Sequence, residues 1–200
     1  MKSLNALILA GGKSSRMGRD KALLSFQNTP FLQRVDRIAR QCCSEVYILT
    51  PRPTKYREFV SEESYFLLES SPGEGTLAAF CQGLQQIKTT RDWLLLLACD
   101  LPLLDAEILQ NWGEQLQHLP LEILACIPKD NDRWQPLCGF YRPQILPHMQ
   151  HYLDGGDRAF QKFFKTIPVK EIVLGDREKQ MLWNCNTPED LQHIESLPRS

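Results

Sequence analysis

Apolar residues fall in short unbroken runs, separated by stretches whose apolar positions recur every three or four residues. Ala6–Ala10 is the first run and stops at Gly11-Gly12. A continuous run bounded by glycine predicts a strand buried on both faces, the pattern of a parallel sheet. Val46–Leu49, closed by Pro51 and Pro53, and Tyr65–Leu68 predict two more strands. Trp93–Cys99 is the most apolar run and ends at Asp100, which predicts a central strand with that carboxylate at its carboxyl end. Leu121–Ile127 predicts a further strand, and Gly139–Tyr141 the end of another. Between the runs, Phe31–Cys42 carries Leu32, Val35, Ile38 and Ala39 at helical spacing, and Leu77–Ile87 puts Leu77, Phe80, Cys81, Leu84 and Ile87 on one helix face. Asp105 is a good N-cap for a helix over Ala106–Gln117. Asp157–Lys165 predicts a helix and Val169–Leu174 a strand, and Thr187-Pro188-Glu189-Asp190 has the cap–proline–acid order that starts a helix.

Strands alternating with helices over short connections predict a three-layer α/β/α fold around a mostly parallel sheet. The 200 residues show no repeat or linker, so residues 1–200 read as one domain. Ligands of such folds bind at the carboxyl ends of the strands. That rule puts the segment Leu9–Lys21 and Asp100 on one edge of the sheet.

Composition narrows the classes. A hydrophobic share of 42%, a charged share of 24% and a net charge of -1 give no case for nucleic-acid or membrane binding. No stretch is long enough to span a bilayer, and the apolar run after Met1 is too short for a signal peptide. The seven cysteines lack C-x-x-C spacing, which argues against structural zinc or a disulfide framework and for a reducing, cytosolic compartment. His118, His148, His151 and His193 are dispersed, and none is assigned to catalysis.

Charge is uneven locally. Lys13, Arg16, Arg19 and Lys21 lie within nine residues and are opposed only by Asp20, so this stretch is net positive by three. Leu9-Ala10-Gly11-Gly12-Lys13-Ser14-Ser15-Arg16-Met17-Gly18-Arg19-Asp20-Lys21 therefore combines glycines that admit close backbone approach, successive N–H groups that cradle anions, and cationic side chains suited to phosphate. It is not a Walker A loop, because Leu7 stands where that motif needs glycine. Nor is it a dinucleotide fingerprint, because Gly11-Gly12 breaks the G-x-G-x-x-G spacing, which sets aside an NAD-binding domain. A carboxylate at the end of a central strand, as in Cys99-Asp100-Leu101-Pro102, either caps a turn or holds a magnesium ion shared with phosphate oxygens.

The whole string resembles the signature L-A-G-G-x-S-x-R-M-G-x-D-K of molybdenum cofactor guanylyltransferases, and Cys99–Pro102 resembles their C-D-x-P metal segment. Asn184-Cys185-Asn186-Thr187-Pro188 is similar to their N-x-N-T-P string. The resemblance implies a Rossmann-like nucleotidyltransferase fold. It implies backbone contacts to GTP from Leu9, Ala10, Gly11 and Gly12, phosphate contacts from Arg16 and Lys21, and magnesium at Asp100. An acidic residue after the third strand, here Glu69, would accept from guanine; the bare residue is equally a solvated strand-end acid. The family's guanine contact after the second strand falls near Thr50 or Pro51, neither of them the usual Asn. Thr76 replaces proline in the family's turn over Gly73–Leu77. Asn184, Asn186 and Arg158 are implied as acceptor contacts, Arg133–Leu137 as a segment facing the acceptor, and Trp134 as either packing or a stacking surface.

The implied reaction is attack by the terminal phosphate of a molybdenum-pterin cofactor on the α-phosphorus of GTP, with loss of pyrophosphate. Cofactor-delivery or molybdoenzyme-maturation proteins are implied as further partners. Two alternatives stand beside this: a nucleotidyltransferase using CTP or another acceptor such as a sugar phosphate, and a non-catalytic nucleotide-binding module.

Overall fold

In the computed structural model, which describes residues 4–11, 20–89 and 91–196, the strand-forming runs assemble as neighbours. The elements in chain order are β1 (Asn5–Leu9), β2 (Ser25–Phe26), β3 (Thr29–Pro30), α1 (Phe31–Cys42), β4 (Glu45–Thr50), α2 (Pro53–Tyr56), β5 (Tyr65–Leu68), α3 (Thr76–Gln86) and β6 (Leu94–Ala98). They continue with α4 (Ala106–Gln115), β7 (Ala125–Asp130), β8 (Arg133–Trp134), β9 (Cys138–Tyr141), α5 (Leu146–Asp154), α6 (Phe160–Phe163), β10 (Val169–Ile172), α7 (Asp176–Met181) and α8 (Pro188–Ser196). The main sheet runs β10-β7-β9-β6-β1-β4-β5, with β8 paired to β7; β2 and β3 form a separate hairpin. All pairings along the main path are parallel except those of β9, which is antiparallel to both β6 and β7.

β1 and β6 are buried along their whole length. The pleat sends alternate residues to opposite cores. Ala6 and Ile8 pack with Leu32, Val35 and Ala39 of α1 and Ile108 and Leu109 of α4, while Leu7 and Leu9 pack with Leu77, Phe80 and Leu84 of α3 and Met149 of α5. The predicted three layers are therefore present, with apolar residues on both sheet faces because both faces are covered.

Register positions the site. Leu9 lies opposite Leu49 on one side and Ala98 on the other. Past these pairs the Ala10 N–H donates to the Leu49 carbonyl at 2.9 Å and the Cys99 N–H to the Leu9 carbonyl at 3.3 Å. The chain thus leaves β1 and β6 side by side, bringing Gly11 and Asp100 to one edge.

Several boundaries differ from the sequence expectation. The strand expected over Leu121–Ile127 begins only at Ala125: Pro120 opens a turn closed by the Ile123 N–H, and Leu121 is 82% exposed. The helix expected over Asp157–Lys165 is confined to Phe160–Phe163, because the Asp157 carboxylate takes the Ala159 N–H at 3.0 Å and forms a local turn instead. β10 stops at Ile172, opposite Pro128, which has no N–H to extend a ladder. α4 keeps its predicted start, where Asp105 accepts from the N–H groups of Glu107 and Ile108, but tightens into a 3-10 turn after Gln115.

Candidate active site

Gly11 leaves β1 where no side chain fits. A Cβ there would overlap the Glu69 carboxylate and meet Pro51 Cδ at 3.4 Å. Glycine is needed for space, and the bare backbone stays open to a ligand. Glu69 follows β5, with its N–H on the Thr50 carbonyl at 3.0 Å, and is only 7% exposed. Burial raises its pKa above the usual glutamate value.

The chain re-enters at Asp20 and turns into a 3-10 helix over Lys21–Leu23, which the Asp20 carboxylate caps at the Ala22 N–H, 3.2 Å away. The turn sends the Lys21 ammonium to Asp100 Oδ2 at 3.4 Å and to Asn186 Oδ1 at 2.5 Å. Burial pushes the Asp100 carboxyl up, and the Lys21 charge works against that shift.

Asn186 is held at this point by two restraints. The Cys185 N–H donates to the Asp100 carbonyl at 3.0 Å, tying the segment to the end of β6. The Asp190 carboxylate accepts the N–H groups of Asn186 and Thr187 at 2.7 and 2.8 Å, while Thr187 Oγ1 accepts the Asp190 N–H at 3.2 Å. This reciprocal cap starts α8 where the sequence predicted it and fixes the backbone of Asn186 at the same time.

Two clefts meet here. The smaller, 210 Å³, is lined by Leu9, Ala10, Gly11, Lys21, Tyr56 and Asp100 among others. The larger, 570 Å³, includes Arg133, Trp134, Arg158, Asn184 and Asn186. Thr76 and Leu137 belong to both. Thr76 opens α3 behind Gly75, whose φ of 99° is a left-handed conformation suited to glycine, and Gln82 of the same helix holds the preceding turn by accepting from the N–H groups of Ser70 and Ser71. The Lys21–Asn186 contact bridges the two clefts.

The structure thus brings together Leu9, Ala10, Gly11, Lys21, Glu69, Asp100, Asn184, Asn186 and Arg158 on one edge. Gly12 and Arg16 lie outside the described residues. Arg158 lines the larger cleft and donates to the Leu153 carbonyl at 2.7 Å. Trp134 is fixed by Gln161, which accepts its N–H at 3.1 Å and donates to its carbonyl at 2.7 Å. Lys55 and Tyr56 of α2, which no motif marked, converge on Asp20; only the position of Asp20 beside Lys21 hinted at them. Thr50, considered as a base contact, is fully buried, and its hydroxyl accepts the Arg52 N–H at 3.3 Å.

As a metal site, the edge offers the strand-end carboxylate of Asp100 and the Asn186 amide oxygen, both in contact with the Lys21 ammonium, and no cluster of three or more His, Cys, Asp or Glu occurs among the described residues. That donor set suits a hard divalent ion completed by phosphate oxygens. No helix among the described residues is long and apolar enough to cross a membrane.

The family model described as MobA-like NTP transferase domain matches residues 6–170. A probable molybdenum cofactor guanylyltransferase of Nostoc sp. is 45% identical over 195 residues, covering 98% of this chain and 92% of its own. A probable molybdenum cofactor guanylyltransferase of Synechococcus elongatus is 45% identical over 192 residues, covering 95% and 97%. The crystal structure of molybdopterin-guanine dinucleotide biosynthesis protein A from Archaeoglobus fulgidus superposes with a TM-score of 0.78 at 19% identity, covering 96% of each chain. A 4-diphosphocytidyl-2C-methyl-D-erythritol synthase from Anaerococcus prevotii shares the fold at a TM-score of 0.71 and 14% identity, covering 98% of this chain and 95% of its own.

Proposed function

The chain belongs to the family of MobA-like NTP transferase domains, and from that premise we propose that it transfers GMP from GTP to a molybdenum-pterin cofactor, releasing pyrophosphate. The observation that carries this reading is the Lys21 ammonium, which spans Asp100 on the smaller cleft and Asn186 on the larger. The smaller cleft takes GTP. The backbone of Leu9–Gly11 lies along the nucleotide, Glu69 accepts from the guanine N1–H and N2 amine, and Lys21 meets the phosphates. Asn184, Asn186 and Arg158 hold the acceptor in the larger cleft.

A terminal phosphate oxygen of the acceptor bonds to the α-phosphorus, and the bond from that phosphorus to the oxygen bridging to the β-phosphate breaks, leaving with its electron pair as pyrophosphate. The attacking phosphate is already an anion, so no side-chain nucleophile is required. The protein supplies alignment and positive charge. Asp100, with Asn186 beside it, would hold a magnesium ion, which when bound neutralises phosphate charge. Lys21 stabilises the negative charge that spreads over the transferring group. The seven free, buried cysteines support a cytoplasmic setting.

The test is incubation with the molybdenum-pterin cofactor, magnesium and each of the four NTPs, followed by product mass. The expected product is a pterin guanine dinucleotide formed from GTP in preference to the other three. A preference for CTP, or GTP binding without pyrophosphate release, overturns the assignment. Lys21→Ala and Asp100→Ala are each expected to lower turnover by about 10²-fold or more with unchanged circular dichroism, the size of effect seen when a transition-state charge contact is lost. Near-normal turnover in either variant removes that residue from the mechanism.

A further inference from the structure

The Asp20 carboxylate sits one residue before Lys21, at the mouth of a cleft proposed for a triphosphate. An uncompensated acid there would repel the ligand. It is compensated heavily: Asp20 Oδ2 accepts from Lys55 Nζ at 2.5 Å and from the Tyr56 hydroxyl at 2.7 Å, with Arg52 at 3.4 Å. Its other oxygen caps the turn that carries Lys21. Burial alone would raise the Asp20 pKa, but the bonds from Lys55 and Tyr56 hold it below the usual aspartate value, so the acid stays ionised.

Geometry gives this cluster a direction. Tyr56 is 2% exposed and lines the smaller cleft, so its ring cannot swing away without opening that wall. α2 follows β4 after only Pro51 and Arg52, and Pro51 lies against the space that Gly11 keeps clear. One carboxylate therefore ties the β4–α2 corner to the turn on which Lys21 is mounted. Resting on the reading of Lys21 as a phosphate contact, we infer that Tyr56 and Lys55 are positioning residues that set the Lys21 ammonium through Asp20. They keep the lysine backbone in its 3-10 turn and cancel the charge of the acid beside it. Neither acts on the nucleotide itself.

The experiment is a double-mutant cycle on Mg·GTP binding, measured calorimetrically on the whole chain. Tyr56→Phe and Lys55→Met are each expected to weaken binding roughly tenfold, the size of losing one hydrogen bond to a charged group. Lys55→Arg is expected to restore most of that loss. In a Lys21→Met background, Tyr56→Phe, which leaves every charge in place, should add little further loss, because what it positions is gone, and Lys55→Met should keep only the part that comes from baring the Asp20 charge. Equal losses in both backgrounds overturn the inference, since the residues would then act on the ligand or the fold directly. Unchanged binding in Tyr56→Phe and Lys55→Met also overturns it. The Lys55 side chain is 36% exposed, so its variants report even if Tyr56→Phe lowers the melting temperature. Failure of the parent protein to bind Mg·GTP is a different result and counts against the proposed function instead.

Discussion

Glu69, proposed as the guanine contact, shows how a single buried acid can weigh on the fold. Its carboxylate is nearly buried, abuts Gly11, and receives no hydrogen bond from any described residue. Burial raises its pKa. The unfolded chain ionises near the ordinary value of about 4.3, so as pH rises past that point the folded state bears a desolvated charge that the unfolded state does not. Wild-type stability should therefore fall as pH rises from the unfolded value through the raised folded value. Glu69→Gln escapes this penalty. Its melting temperature is expected to exceed that of the wild type by a few degrees at pH 8, with the gap closing below about pH 4, where both side chains are neutral. The same variant should lose discrimination for GTP over ATP and CTP, because an amide cannot accept from both guanine donors. Thermal melts across pH check the first outcome, and a gap that widens on acidification would be incompatible with it. Of the site, Lys21, Asp100 and Asn186 were legible in the sequence because each sits inside a spaced string. Lys55 and Tyr56 were not, because a contact across 35 residues leaves no local pattern.

Elements were legible where a helical apolar face or an unbroken apolar run marked them. Phe31–Cys42 and Tyr65–Leu68 appear with the boundaries that the sequence predicted, since a continuous apolar face or run dictates both. Short elements were illegible for the opposite reason. The hairpin of β2 and β3 turns at Gln27 and Asn28 with φ of 52° and 58° and has only two residues on each side, too few for alternation to show. Asp157–Lys165 misled because a local side-chain bond competed with helix formation. α8 differs from these cases: its cap is both a fold signal and a site device. Asp190→Ala removes the acceptor for the Asn186 and Thr187 N–H groups. Loss of such a cap costs about 1 kcal/mol, which in a chain of this size lowers the melting temperature by about 2–4 °C. Because Asn186 faces the larger cleft, this variant is expected to raise the KM for the acceptor more than that for GTP. Equal KM values for variant and wild type would restrict Asp190 to a stability role.

At the scale of the molecule, β9 decides how the chain unfolds. It runs antiparallel between β6 and β7 and is the strand through which β7 and β10 reach the rest of the sheet. A weak seam there would let the two parts melt separately. Neither core stops at it. The core on the α1 side includes Ile8 and Leu95 together with Cys126, Phe140 and Ile172 across the seam, and the core on the α3 side includes Leu7 and Leu96 together with Ile127 and Tyr141. Both cores must break together, so one cooperative transition is expected. Trp93 and Trp112 report from the first core and Trp134 from the edge of the second, so fluorescence samples both sides of the sheet. The fluorescence and far-ultraviolet circular dichroism curves should coincide; two separated transitions would divide the chain into two domains. Because the smaller cleft is built from β1, β6 and α2 together, a ligand there stabilises the whole unit rather than one lobe. At a free concentration of 100 times its Kd, Mg·GTP should add about 2.7 kcal/mol and shift the single transition upward by roughly 5–10 °C. CTP at the same concentration should shift it less, and an equal or larger shift with CTP would remove the guanine preference proposed for Glu69.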